Sequence, residues 1–396
     1  MYTPFGQITY CSNIHPGETW PEHTNELRAV VPKIASFFPQ KPFNLGLRLA
    51  ERAADFLKNA EQAQMEWKSW LVQNQITVTT MNGFPYGSFH GSVVKDLVHA
   101  PDWTSEERVI YTQNLALVLA QIMPDDERSG GISTSPLSYK FWWKSIQEKE
   151  QAYQQATENI LSMVVFLQEL EQKTGKSIHI DIEPEPDGLI ENMAEFLDWY
   201  SAYLLPLGVK KWGSVAEESI RKHIQLCFDV CHVAVGFEQP EVVINQLEKH
   251  EIQTGKIQVS SALSVDWETG DFQEKKHTLA QFNEPTYLHQ VVAKRPDGTL
   301  DKYRDLDWAL ADFSPQKHTE WRVHFHVPIF LESYGCLGST QATILETLAQ
   351  HKRKPFTQLL EIETYTWGVL PKDVQKPLAT SIQRELDWLL TQLNEK

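Results

Sequence analysis

The chain has 396 residues, 41% of them apolar, and only four cysteines, Cys11, Cys227, Cys231 and Cys336. Its net charge of −16 argues against non-specific binding to DNA or RNA, whose phosphates need a basic surface. No run reaches the roughly 18–20 apolar residues of a membrane span, MYTPFGQITYCSNIHPGE lacks the regions of a signal peptide, and so few cysteines point to a reduced, cytoplasmic protein.

The pattern along the chain is strand, loop, helix, repeated. Strands are predicted at 7–13, 43–49, 76–83, 132–139, 177–184, 224–230, 256–263 and 358–364. Helical stretches fall between them. One starts at Glu51, one ends on Lys and Gly before the fifth strand, and PEVVINQLEKH carries Pro at its start. Eight strands alternating with helices favour an α/β protein, a (β/α)8 TIM barrel, over an open sheet. The span 264–335 is too long for an ordinary loop. It contains TYLHQVVAKRPDGTLDKY, with turn chemistry at Pro-Asp-Gly, and then EWRVHFHVPIF. The expectation is one barrel domain, 1–396, whose insertion forms a hairpin plus an extra strand folded over the mouth. SIQRELDWLLTQLNEK reads as an amphipathic outer helix.

Side-chain parity locates the chemistry. In SIHIDIE, Ile178, Ile180 and Ile182 share one face, while His179, Asp181 and Glu183 share the other. In QLCFD, Leu226 and Phe228 oppose Gln225, Cys227 and Asp229; in LLEIE, Leu360 and Ile362 oppose Glu361 and Glu363. The apolar faces suit the outer helices, so the last acid of each strand points to the mouth, where barrel chemistry sits. Any one of these acids alone is better explained by a helix cap or an Arg or Lys partner. Three together would repel one another and raise their pKa values unless a cation neutralises them.

Glu183, Asp229 and Glu363 are therefore candidate metal ligands. His232 sits where the chain leaves the sixth strand, and His326 shares a face with His324 in HFH. His326 is favoured as a ligand and His324 as its neighbour on the substrate side. Gln258 has inward parity and is either an amide ligand or a spacer. Oxygen ligands with one or two His fit one divalent ion, Zn, Mn, Fe or Mg, or at most two. Asn13, His15, Arg48, Asn82, Tyr86, His90 and Lys140 lie on the mouth side as candidate substrate contacts, and His289 is expected near the same cavity; the ordinary account of any one polar loop residue is structural. Glu183, Glu363 and Glu185 are the candidates for moving a proton. No GxGxxG, GKS, GKT or GxSxG occurs, so a nucleotide fold and a serine nucleophile have no support. Cys231 reads as a packing residue.

These residues resemble the xylose-isomerase-like barrels, a superfamily of sugar isomerases and epimerases that includes apurinic endonuclease IV. FDVCH is similar to the Asp-x-x-Cys-His element, which implies Asp229 and His232 as ligands; IEP and IET imply Glu183 and Glu363. HFH looks like the endonuclease Asp-x-His pair with His324 in place of Asp. Two departures weigh against a trinuclear nuclease site: Gln258 and Ser260 stand where the family carries His, and the third and fourth strands offer only Asn82 and Ser135. Over nearly the whole length TYCSNIHPGE, NGFPYGSFHG, STSPLSYK, FDVCH, YLHQVVA, WRVHFHVP and ETYTW resemble the EboE family of metabolite traffic proteins. That resemblance implies handling or export of a secondary-metabolite precursor, with other proteins of the export system as partners.

Three readings stay open on the sequence. One is a metal-dependent isomerase or epimerase of a small hydroxy-carbonyl compound. The second is a non-catalytic binding or escort protein. The third is a metal-dependent phosphoester hydrolase.

Overall fold

The structure is a computed structural model that describes residues 1–38, 42–88, 93–368, 370 and 376–394. Eight strands form a parallel sheet: Gly6–Tyr10, Phe43–Arg48, Ile76–Asn82, Ser129–Thr134, Ser177–Ile182, Ile224–Asp229, Thr254–Val259 and Leu359–Ile362. Each pairs with the next, and the eighth pairs with the first. A parallel bridge from Cys11 to Gly46 joins the first strand to the second and closes the sheet into the expected barrel. The alternating apolar residues, such as Ile178, Ile180 and Ile182, are fully buried in the hydrophobic core. Among the described residues no helix is long and apolar enough to cross a membrane.

Three elements differ from the sequence expectation, each for a local reason. The fourth strand ends at Thr134 rather than near 139, because Pro136 has no N–H to donate and Leu137 takes a left-handed φ of 66°. The helix from Glu51 breaks at Ala60 into Glu51–Asn59 and Glu61–Gln73. The seventh predicted strand is two strands. Thr254–Val259 belongs to the barrel, and Ser261–Asp266 leaves it for a second sheet. Ser260, at the break, turns its hydroxyl onto Asp229 at 2.6 Å.

The strands of that second sheet run through the long 264–335 segment and past both of its ends. The hairpin Val291–Lys294 with Leu300–Tyr303 lies beside Glu320–Val327, which pairs antiparallel with Ser261–Asp266. Short strands Leu337–Ser339 and Ser333–Tyr334 complete its edge. The hairpin turn places Gly298 at φ 85°, a conformation a glycine takes at little cost. Along Glu320–Val327 the apolar side, Val323, Phe325 and Val327, is fully buried, with Phe325 against Phe282 at 5.3 Å. The opposite side presents His324 and His326 toward the barrel strand ends.

Inside the barrel, Lys256 and Glu361 form an ion pair with both side chains fully buried, and Thr9 donates to Glu361 at 3.1 Å. Gly46 faces them without a side chain, since a Cβ there would lie 1.5 Å from a Glu361 oxygen. Removing one partner of a buried pair strands a charge and costs about 3–5 kcal/mol. Lys256→Met is therefore expected to lose about that much stability in urea denaturation, and Lys256→Met with Glu361→Leu to recover most of it. A single-variant loss under about 1 kcal/mol would contradict this account of the interior.

Candidate metal centre

Four strand ends converge at one mouth of the barrel. Glu183 follows the fifth strand, Asp229 ends the sixth, Gln258 lies near the end of the seventh and Glu363 follows the eighth. Parallel pairing sets Asp229 level with Gln258, which brings their side chains to the same height. Glu183, Asp229 and Glu363 each offer an oxygen within 4.8 Å of the other two. All three are buried, as is Gln258.

The Gln258 amide nitrogen donates to all three carboxylates, to Glu183 at 3.0 Å, to Asp229 at 3.2 Å and to Glu363. Two amide hydrogens cannot satisfy three anions. Glu183 Oε2 has no partner at all. Glu363 accepts two further hydrogen bonds: Asn13 and Asn82 both donate to its Oε1, at 2.7 and 2.9 Å.

Burial, reinforced by the neighbouring carboxylates, pushes Glu183 well above the usual range and Glu363 up to about 8. Asp229 goes the other way. Burial would raise it, but His232, His326, the Ser260 hydroxyl and a backbone N–H outweigh that and hold it below its ordinary value. The chemistry of the set fits a divalent cation: oxygen donors, excess negative charge and one buried oxygen left orphaned.

Beside the carboxylates lies a set of imidazoles. His232 sits in the first turn of the helix Val230–Val235, whose N-terminus Asp229 caps by accepting from the His232 N–H at 3.1 Å. One residue thus ends a strand, starts a helix and places its own neighbour. His326 Nδ1 is 3.8 Å from a Glu363 oxygen, so the inserted strand does reach the acids. His324 lies next to His232 and belongs to the same cluster. Burial pushes both His324 and His326 down, favouring neutral rings. The Cys231 thiol, raised by burial, packs with Val235 and Ala262.

The cavity between these groups has a volume of about 70 Å³. It is lined by Asn13, Asn82, Glu183, Glu185, His232, His324, His326 and Glu363, and also by His99, Tyr287, Gln290 and Tyr365. A larger cleft of about 900 Å³ opens among the strand starts, near Gln7, Ser129 and Thr254, away from every one of these donors. Size alone would select the wrong end of the barrel.

Other expected contacts lie outside the mouth cavity. His15 bonds Tyr10 at 3.0 Å. Arg48 donates to the carbonyls of Pro85 and Gly87 and so holds the loop after the third strand. Tyr86 stacks edge-on against Tyr111. Lys140 pairs with Glu191 at 2.6 Å and Asp187 at 3.4 Å. His289 is behind the cavity, with Nδ1 on the His324 carbonyl at 3.2 Å and Nε2 on Glu284 at 2.9 Å. His90 lies outside the described residues.

Sequence reasoning missed His99, whose Nε2 is 2.9 Å from Glu185. His99 comes from the long loop after the third strand, where no periodicity assigns a direction. Tyr365 was within reach, two residues beyond Glu363 on the same parity.

No family model matches the chain, and no curated protein matches it. Among solved structures it is similar to a crystal structure of the IOLI protein with a zinc atom, at 9% identity over 98% of each chain with a TM-score of 0.49. The barrel assignment rests on the strand pairing of the chain itself.

The raised carboxylates carry a linkage consequence. A group at about 8 in the folded state and near 4.5 when unfolded holds an extra proton in the folded state between those values. Stability of metal-stripped protein should then fall as pH rises from about 5 to 8, by at most about 1.4 kcal/mol per pH unit for each such group. Added divalent metal should flatten or reverse the trend. Thermal melts across that range check it; a stripped protein that gains stability from pH 5 to 8 would contradict it.

Proposed function

We propose that this chain is a metal-dependent isomerase or epimerase acting on a small hydroxy-carbonyl compound. The observation that carries the reading is the convergence of Glu183, Asp229 and Glu363, buried and within 4.8 Å of one another around an overcommitted Gln258 amide. Glu183, Asp229 and Glu363 hold the cation, with Gln258 able to present its amide oxygen after rotation. His232 and His326 extend the donor set on one side.

When bound, the cation supplies Lewis-acid polarisation of a carbonyl and its neighbouring hydroxyl. The chain's own residues do the rest. Asn13 and Asn82 fix Glu363, so it serves to position. Glu183 keeps one oxygen without a partner, which makes it the favoured carrier of the proton moved between adjacent carbons. Glu185, held near His99, is the other candidate. Tyr365 and the inserted strand's His324 and His326 line the cavity, whose volume of about 70 Å³ suits a small molecule rather than a polymer. The resemblance of the sequence to EboE proteins adds a setting, the handling or export of a secondary-metabolite precursor.

The test is proton exchange. Metal-loaded protein in D2O, offered a panel of aldoses, ketoses and hydroxy-ketones, should exchange the hydrogen next to the carbonyl of at least one. Glu183→Gln should slow that exchange by about 10²–10⁴-fold. Ligand-induced stabilisation without exchange would favour the escort reading, and phosphate release from small phosphoesters the hydrolase reading. A duplex with an abasic site should be neither bound nor cut, given the net charge of −16.

A further inference from the structure

The cleft among the strand starts lies at the opposite end of the barrel from the metal centre. Its volume of about 900 Å³ falls within the range of small-molecule sites, roughly 300–1,000 Å³. His179, which lines it, belongs to a side-chain pair that the chemistry at the mouth does not use. Its Nδ1 meets Asp181 Oδ1 at 2.6 Å, both residues standing on the inward face of the fifth strand.

Two neighbouring strands give up a side chain to seat this pair. A Cβ on Gly131 would lie 2.4 Å from His179 Cε1, and one on Gly255 would lie 2.0 Å from Asp181 Oδ1. Branched apolar residues ordinarily fill such interior layers. Here a histidine 9% exposed and an aspartate 0% exposed take their place. An ionised carboxylate only accepts, so His179 Nδ1 carries the hydrogen and Nε2 keeps a lone pair. Among the described residues nothing donates to that lone pair. The buried Thr254 hydroxyl, also in the lining, has no partner among them either.

The charged groups of the lining are already occupied or face solvent. Lys354 pairs with Glu248, and Arg353 with Glu241 at 3.4 Å. Among the described residues no other lysine or arginine lines the cleft, so a phosphate or carboxylate finds no free cation there. Glu127 accepts from Tyr2 at 2.6 Å and from Gln7 at 3.0 Å, and Glu251 is exposed. Among the described residues, no cluster of His, Cys, Asp and Glu close enough to share a metal includes a residue of this cleft. What is left is hydrogen-bonding capacity without charge, together with the apolar surface of Leu247, Ile252 and Phe356.

We propose that this cleft is a second ligand site, which takes a neutral ring compound bearing hydroxyl groups, a sugar or a phenol. One hydroxyl donates to His179 Nε2, and the Thr254 hydroxyl meets another. The face of the ring lies on Ile252 and Phe356. The site is independent of the metal and of the reaction at the mouth.

Long-range ¹H–¹⁵N spectra of the histidine rings test this, recorded with chelator present so that the mouth is empty of metal. The probes are glucose, xylitol, catechol and resorcinol, with acetate and inorganic phosphate as anionic controls. At least one neutral probe should move the His179 Nε2 signal saturably; glucose or xylitol would mark a sugar site, catechol or resorcinol a phenol site. Thr254→Val should weaken that probe about tenfold, the loss of one hydrogen bond. Gln253→Trp, at an exposed position of the lining where the fold tolerates change, should block the cleft and abolish the shift. Glu183→Gln should leave it unchanged. A His179 signal that no neutral probe moves, or that only acetate or phosphate moves, would overturn the proposal. So would a shift that survives Gln253→Trp or is lost in Glu183→Gln. The metal-dependent reading of the mouth stands or falls separately, on the proton exchange described above.

Discussion

Three carboxylates buried around a single amide nitrogen are the constraint on which the mouth of this barrel depends. Glu183, Asp229 and Glu363 are each delivered by a different strand, and Gln258 by a fourth. Only a closed parallel barrel brings those strand ends to one point. A neutral amide cannot balance the charge such a cluster would carry at neutral pH. Without a cation, burial and mutual repulsion push Glu183 and Glu363 above the ordinary carboxylate range. Fold and electrostatics therefore ask for the same ion. The interior below solves a similar problem with protein groups alone, pairing Lys256 with Glu361. Among the described residues no buried lysine takes that role at the mouth.

Asp229 couples the layers. It terminates the sixth strand, caps the helix that carries His232, accepts from Ser260 where the chain leaves the barrel, and faces Gln258. The inserted sheet then adds His324 and His326 from a strand whose apolar side is anchored by Phe325 and its neighbours. His324 and His326 of that strand line the same cavity as Glu183 and Glu363.

The sequence revealed the barrel and its acids because both depend on short-range parity. Alternation in SIHIDIE and LLEIE fixes which side faces inward, and the last inward acid must lie at the mouth. His232 was legible from its place just beyond Asp229, and His326 from its register with His324. The rest depends on long-range placement that alternation does not encode. His99 comes from a loop without period. Arg48, Lys140 and His15 lie on mouth-side segments, yet each turns to a protein partner, Gly87, Glu191 or Tyr10. The break at Ser260 was hidden because KIQVSSAL alternates smoothly through it.

The most direct measurement of the central claim is anomalous diffraction from crystals of the protein grown with Mn²⁺ or Zn²⁺ and recorded on either side of the metal absorption edge. The account predicts an anomalous peak bounded by Glu183, Asp229 and Glu363, at roughly 2–2.3 Å from their nearest oxygens. A fully folded barrel at saturating metal with no anomalous density among those three carboxylates would contradict it.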